Sequence, residues 1–155
     1  MTLSDRTDEQ LVLRIREIFA QIPFNKLLGL ELRTLDKERP QVGFRMRDEL
    51  IGNYVRGTLH GGVISTVIDV TGGLTAFLGM QHNLTDQELD ERFRQFGRLG
   101  TIDLRIDYLR PGRGKEFIAT GHNIRTGTRI AVSRVEVANE TGEVIAVGTG
   151  AYVIA

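Results

Sequence analysis

The sequence predicts an α+β fold in which a curved antiparallel sheet wraps one long apolar helix. Three observations predict it. Val63 to Met80 is almost continuously apolar, too apolar for a helix lying on a surface. Four stretches after residue 100 alternate apolar and polar residues and are separated by turn-forming segments. The order is helix, two strands, long helix, extra helix, four strands, which suits a sheet curled around a helix rather than a doubly wound layer.

Taken in order, Thr7-Asp-Glu-Gln10 has the form of a capping box, and Leu11, Ile15, Ile18 and Phe19 follow at helical spacing. A helix over 8–21 is expected, ended by Pro23. Residues 30–37 and 41–47 read as strands joined by the turn "DKERP". Val63–Met80 is barely long enough to cross a membrane, and Asp69 with Gly72, Gly73 and Gly79 argues for a buried core helix instead. Thr85-Asp-Gln-Glu88 is a second capping box, opening a helix at about 85–96 with Leu89, Phe93 and Phe96 on its apolar face. Strands are expected at 102–108, 115–125, 129–138 and 143–154, antiparallel through hairpin-length turns.

The 155 residues fit one domain, 1–155, with an N-terminal helix in 1–22 and an inserted helix in 82–99. Twenty basic and twenty acidic residues cancel, so neither nucleic acid nor a membrane is an expected partner. Locally, Arg92, Arg94, Arg98, Arg105, Arg110, Arg113 and Lys115 face only Asp103 and Asp107 in the same stretch, which suits an anionic small ligand or a solvated surface. Cysteine is absent, excluding disulfides and a thiol nucleophile. With a polar N-terminus lacking a signal-peptide core, this suits a cytoplasmic location. His60, His82 and His122 have no metal-ligand spacing, so no metal is expected. The pair Gly148-Thr-Gly150 lies in a strand with no helix after it, which removes a nucleotide-loop reading.

The chemistry concentrates in "GTLHGGVISTVID", residues 57–69. Gly61 and Gly62 open the long helix, where N–H groups lack intrahelical partners and the dipole is positive. Glycine there allows close approach to the backbone, so an anion or oxyanion site is one reading and close helix–sheet packing the other. Asp69 has no Lys or Arg between Gly61 and Met80 to neutralise it. Ser65, Thr66 or a group from another element would have to bond it. Eight residues separate Gly61 from Asp69, about 12 Å along a helix. A general base and an oxyanion donor must both reach one carbonyl at hydrogen-bond distance. If they cooperate, Asp69 comes from a second copy across a two-fold axis, and the protein is a homodimer with two composite sites.

His60-Gly61-Gly62 with Asp69 nine residues after the histidine resembles the hotdog-fold acyl-CoA thioesterases of the PaaI-like branch. Gly57-Thr58-Leu59, "TIDLRIDYLRPGRG" at 101–114 and "GEVIAVGTGAYV" at 142–153 fit the same pattern. The resemblance implies a hotdog fold, dimers often paired into tetramers, and hydrolysis of an acyl-CoA, aryl or medium to long chain. Coenzyme A is then part of the substrate, and no cofactor is implied. It implies Asp69 as base or nucleophile, the Gly61 N–H polarising the thioester carbonyl, and His60 beside the carbonyl pocket. Thr101 would orient the water or Asp69. Asn53 sits near a family asparagine that positions water, with one extra residue before the histidine. Gly62, Arg110, Arg113 and Arg129, with Arg125, are candidates for contact with coenzyme A. The 82–99 segment is longer than in many short relatives, and capping of the sheet is favoured for it over covering the acyl end. A hotdog dehydratase lacks its Phe-Pro-Gly-x-Pro signature here. A non-catalytic binding protein would have no use for Asp69.

Overall fold

The computed structural model describes residues 3–81 and 88–154. Six strands form one sheet: β1 Glu31–Thr34, β2 Gln41–Arg45, β5 Gly100–Tyr108, β6 Glu116–Thr126, β7 Ile130–Asn139 and β8 Val144–Val153. Their order is β1-β2-β6-β7-β8-β5, and every pairing is antiparallel. A short hairpin, β3 Ile51–Asn53 with β4 Thr58–Leu59, leads into the central helix α3, Gly61–Gln81.

Helix α3 packs against β2 and against β5 through β8. From Thr71 onward every residue of the helix is buried. By length and composition α3 could cross a bilayer, but 78% of its most apolar stretch is buried within the protein. The inward residues near the middle of the sheet are small: Ala119 and Gly121 on β6, Ala131 and Ser133 on β7, Gly148 and Gly150 on β8. This row lets the helix sit close. A Cβ at Gly121 would lie 1.9 Å from Thr75 Oγ1, and one at Gly148 would lie 2.5 Å from Ile68 Cγ2. Larger groups close the ends, as where Phe44 and Phe117 stack with centroids 5.3 Å apart.

Four expectations need correction. Helix α1 runs Leu3–Gln21, so Thr7 lies inside it rather than at its cap. Pro23 does more than stop α1: it opens a second helix, α2 Pro23–Leu28, at the first helical position where a missing N–H costs nothing. Gly29 then ends α2 with φ +67°. The "RPGRG" segment is no hairpin. It carries the chain from β5, on one edge of the sheet, past β8 and β7 to β6. Finally, Asp69 is not bonded by Ser65 or Thr66, whose hydroxyls both donate back to the Gly62 carbonyl at 2.9 and 2.8 Å. The Thr85 cap lies outside the described residues; α4 is Leu89–Arg94, followed by a 3₁₀ turn at Phe96–Arg98.

Gly121→Ala should lower stability by about 1–3 kcal/mol, because Thr75 is β-branched and cannot swing clear of the added methyl. Gly97→Ala, where a Cβ meets nothing within 4 Å, should leave the denaturation midpoint nearly unchanged. Urea unfolding of the two variants beside wild type checks this.

Candidate active site

The first half of α3 is covered on one side only. Gly61, Gly62, Ser65, Thr66, Asp69 and Val70 form a stripe at helical spacing that stays partly or fully exposed. Asp69 stands in this stripe, two residues before the fully buried half begins.

Thr101, at the start of β5, donates its hydroxyl to Asp69 Oδ1 at 2.8 Å. Tyr152, near the end of β8, donates its hydroxyl to the Asp69 main-chain oxygen at 3.3 Å. Its phenol is buried, and that burial together with the Asp69 carboxylate pushes its pKa far above the usual tyrosine range. Tyr152 is therefore a permanent donor. Two glycines make its place: a Cβ at Gly72 would fall 2.1 Å from the Tyr152 hydroxyl oxygen, and one at Gly150 2.5 Å from it. Tyr152 was not singled out from the sequence, although Gly72 and Gly150, small where a helix and a strand normally carry side chains, were its trace.

Asp69, Thr101 and Tyr152 line one end of a cavity of about 230 Å³. The remaining walls are almost wholly apolar. Ile15, Ile18 and Phe19 come from α1, Val70, Gly73 and Leu74 from α3. Phe93, Phe96 and Leu99 come from α4 and the turn after it. The 82–99 segment thus does not simply cap the sheet; its described part walls the cavity that Asp69 faces. Asn25, buried within the same wall, spends its Nδ2 on the Phe19 carbonyl at 3.1 Å.

The helix start lies elsewhere. His60 Nδ1 accepts the Gly62 N–H at 2.8 Å, and His60 O accepts from Val63 and Ile64. His60 therefore acts as the cap of α3, with the proton on its other nitrogen. Gly62 has its N–H engaged, and the donor role narrows to Gly61, whose N–H makes no hydrogen bond among the described residues. The Tyr108 hydroxyl, at the far end of β5, donates to the Gly61 carbonyl at 3.2 Å. Thr101 and Tyr108 are seven residues apart on one strand, about 23 Å. The Asp69 end and the Gly61 end of the candidate site are thus separated by the length of β5.

The other predicted residues fall outside the Asp69 cavity. Asn53 Oδ1 accepts the Arg56 N–H at 3.1 Å and so closes the β3–β4 turn. Arg110 is tied down, donating to the Val144 carbonyl at 2.7 Å and facing Glu143 at 3.6 Å. Arg113 lies exposed on the loop whose Gly112 carbonyl accepts the Leu59 N–H at 2.9 Å, beside the start of α3. Arg125 and Arg129 flank the β6–β7 turn near the other end of α3, where a Cβ at Gly79 would meet Asn123 and Thr126. Eighteen residues of helix, about 27 Å, separate Gly61 from Gly79, so the two arginine groups cannot grip the same small anion in one chain. Among the described residues no three His, Asp or Glu groups are placed to hold a metal ion.

The sequence profile of the thioesterase superfamily matches residues 56–146, which spans β4, α3 and the strands up to β8. The chain belongs to the thioesterase superfamily. It is 41% identical to the medium/long-chain acyl-CoA thioesterase YigI of Escherichia coli, with 96% of each chain covered. A solved Shewanella oneidensis structure related to the thioesterase superfamily superposes with TM-score 0.91 at 47% identity, covering 95% of this chain and 97% of that one. A structure from Syntrophus aciditrophicus superposes with TM-score 0.87 at 46% identity, covering 97% and 99%. The helix wrapped by an antiparallel sheet is the hotdog fold of this superfamily.

His60→Ala should cost roughly 0.5–2 kcal/mol of stability through loss of the α3 cap, and His60→Asn, a good capping residue, should recover most of it. Thermal unfolding of both variants reads this role separately from any effect on activity.

Proposed function

We propose that the protein hydrolyses acyl-CoA thioesters with apolar, medium to long acyl chains. The observation that carries this reading is Asp69, held by Thr101, at the mouth of an apolar cavity. A carboxylate with no cation beside it is a costly thing to keep at such a place. Its use is to act on an electrophile brought there by the chain that fills the cavity. YigI, the relative named above, supports the substrate class.

The two half-sites meet in a dimer. β5 is an edge strand, and its outer edge and flank carry exposed Ile102, Tyr108 and Leu109, each more than half exposed. An edge like this invites pairing with another strand. A two-fold axis at the middle of β5 lays two copies of the strand antiparallel. That sets the Thr101 end of one copy against the Tyr108 end of the other. The Gly61 N–H of one copy then joins Asp69 of its mate at one thioester.

In that arrangement the substrate carbonyl accepts the Gly61 N–H at the positive end of α3, where negative charge on oxygen is stabilised. Asp69, oriented by Thr101, takes a proton from water as the water oxygen bonds to the carbonyl carbon. The C–S bond then breaks. The thiolate leaves and takes up the proton Asp69 holds, giving acid and free coenzyme A. A second route, with Asp69 itself attacking to form an anhydride that water opens, uses the same groups. Arg113, exposed beside the start of α3, is placed to meet the phosphates of coenzyme A.

Thiol release from acyl-CoA should fall about 10²–10⁴-fold in Asp69→Ala. Gly61→Pro keeps the helix start, since proline is favoured at the first helical position, but removes the N–H and sets its ring beside Tyr108 where the carbonyl would approach, and should cost on the order of 10²–10³-fold or more. Refolding the two inactive variants together should restore roughly a quarter of wild-type activity, since half the dimers are mixed and each has one intact site. Sedimentation should show a dimer. No recovery on mixing, or an active monomer, refutes the shared site. Thr101→Val, which removes a bond to a charged acceptor, should lower kcat by about ten- to hundredfold with the fold intact.

A further inference from the structure

The cavity beside Asp69 has a direction, and the residues along it bear on which acyl chains fit. Asp69, Gly73 and Phe77 lie one turn apart on the same face of α3. Asp69 and Gly73 line the cavity. Phe77 is fully buried one turn beyond Gly73, outside the lining and behind two of its walls, edge-on to Phe96 with centroids 5.3 Å apart and tilted against Phe93 at 6.1 Å. Phe93 and Phe96 are themselves cavity walls. From Asp69 to Phe77 is eight residues, about 12 Å.

Gly73 is the informative position. Its neighbour Gly72 is glycine by necessity, since a Cβ there would collide with Tyr152. At Gly73 a Cβ would meet Leu99 at 3.4 Å and the Tyr152 ring at 3.7 Å, ordinary contact distances. Packing does not demand glycine at 73. What its missing side chain does is keep the lumen open between the carboxylate and the aromatic end.

The outer wall is a clasp. Arg14 on α1 donates to Asp90 on α4 at 2.5 Å, and its guanidinium lies 4.7 Å over the Phe93 ring. The two helices that carry the outer walls are thus joined above the cavity by a surface ion pair. Beyond Asp69, Thr101 and Tyr152 the only polar side chain among the described residues of the lining is Asn25, whose Nδ2 is bonded to the Phe19 carbonyl.

We propose that α1, α4 and Gly73 form a chain-length gauge: an unfunctionalised acyl chain threads past Gly73 and is stopped by Phe93 and Phe96. The gauge rests on the thioesterase reading. It sets the preferred substrates as unbranched, unhydroxylated acyl groups whose extended length matches about 12 Å, the medium-chain range.

The test compares wild type, Gly73→Val and Phe96→Ala on butanoyl-, octanoyl-, dodecanoyl- and hexadecanoyl-CoA by thiol release. Thermal shifts with the corresponding free fatty acids run in parallel. In Gly73→Val the octanoyl-to-butanoyl ratio of kcat/KM should fall about tenfold or more, the scale on which hydrophobic pockets discriminate. In Phe96→Ala the optimum should move to longer chains, with the hexadecanoyl-to-octanoyl ratio rising by a similar factor. Hydrolysis with the wild-type chain-length profile in both variants overturns the gauge and leaves the thioesterase reading standing. Suppose wild type releases no thiol, yet fatty acids raise its Tm in a chain-length order that Gly73→Val abolishes. The hydrolytic reading then fails and the gauge stands. No fatty acid shift in a wild type that releases no thiol overturns both.

Discussion

Helix α3 has more apolar surface than one flat sheet face can cover, and the architecture follows from burying it. The sheet curls so that β2 and β5 to β8 all touch the helix. Close approach requires a row of small inward residues, and Gly121, Ala131, Gly148 and Gly150 supply it. Interiors are packed as densely as organic crystals, so this contact tolerates little change in volume. The second half of α3 is covered on every side. The first half is left open along one stripe, and that stripe carries the only carboxylate of the helix, Asp69. Burial and chemistry therefore divide the helix between them.

That division is what places the proposed oxyanion donor and the proposed base apart within one chain. An N–H at the helix start and a carboxylate two turns later are locked apart by the pitch of the helix. The strand alongside repeats the separation, with Tyr108 holding the Gly61 end and Thr101 the Asp69 end. Neither spacing can relax without unwinding an element that the core needs. A symmetric partner is the simplest way to bring such groups together, and the edge position of β5 leaves room for one.

Much of this was legible in the residues. The long apolar run showed the central helix, alternation showed the strands, and an unneutralised Asp69 in an apolar run pointed to the carboxylate that the fold sets beside the apolar cavity. Most of the misses share a cause: they depended on what lies far away in sequence. "RPGRG" has hairpin chemistry, yet β5 pairs with β8, the last strand in the sequence, and takes the edge beside it. Tyr152 is one of three tyrosines and nothing local distinguishes it; only the folded pairing with Gly72 does. Thr7 fits a capping box, but Leu3–Asp5 extend the helix ahead of it, since a local cap signal is only one of several starts a helix can use. The 82–99 segment reads as an amphipathic insertion, and no periodicity says which surface its phenylalanines meet.

The walls of the Asp69 cavity come from both ends of the chain. Ile15 and Phe19 lie opposite Tyr152, which is contributed by the last strand. These walls therefore meet only through contacts of long sequence separation. Contacts of such long sequence separation are slow to close and carry a high entropic cost. Once formed, they are also the ones most easily surrendered piecemeal. Helix α1 joins the rest of the molecule through the buried Leu11, Ile15 and Phe19, a hydrogen bond from Arg16 to the Leu32 carbonyl and the exposed Arg14–Asp90 ion pair. The fold thus carries a body of sheet and α3 and an outer wall of α1 and α4, and the space that faces Asp69 lies at the seam between them.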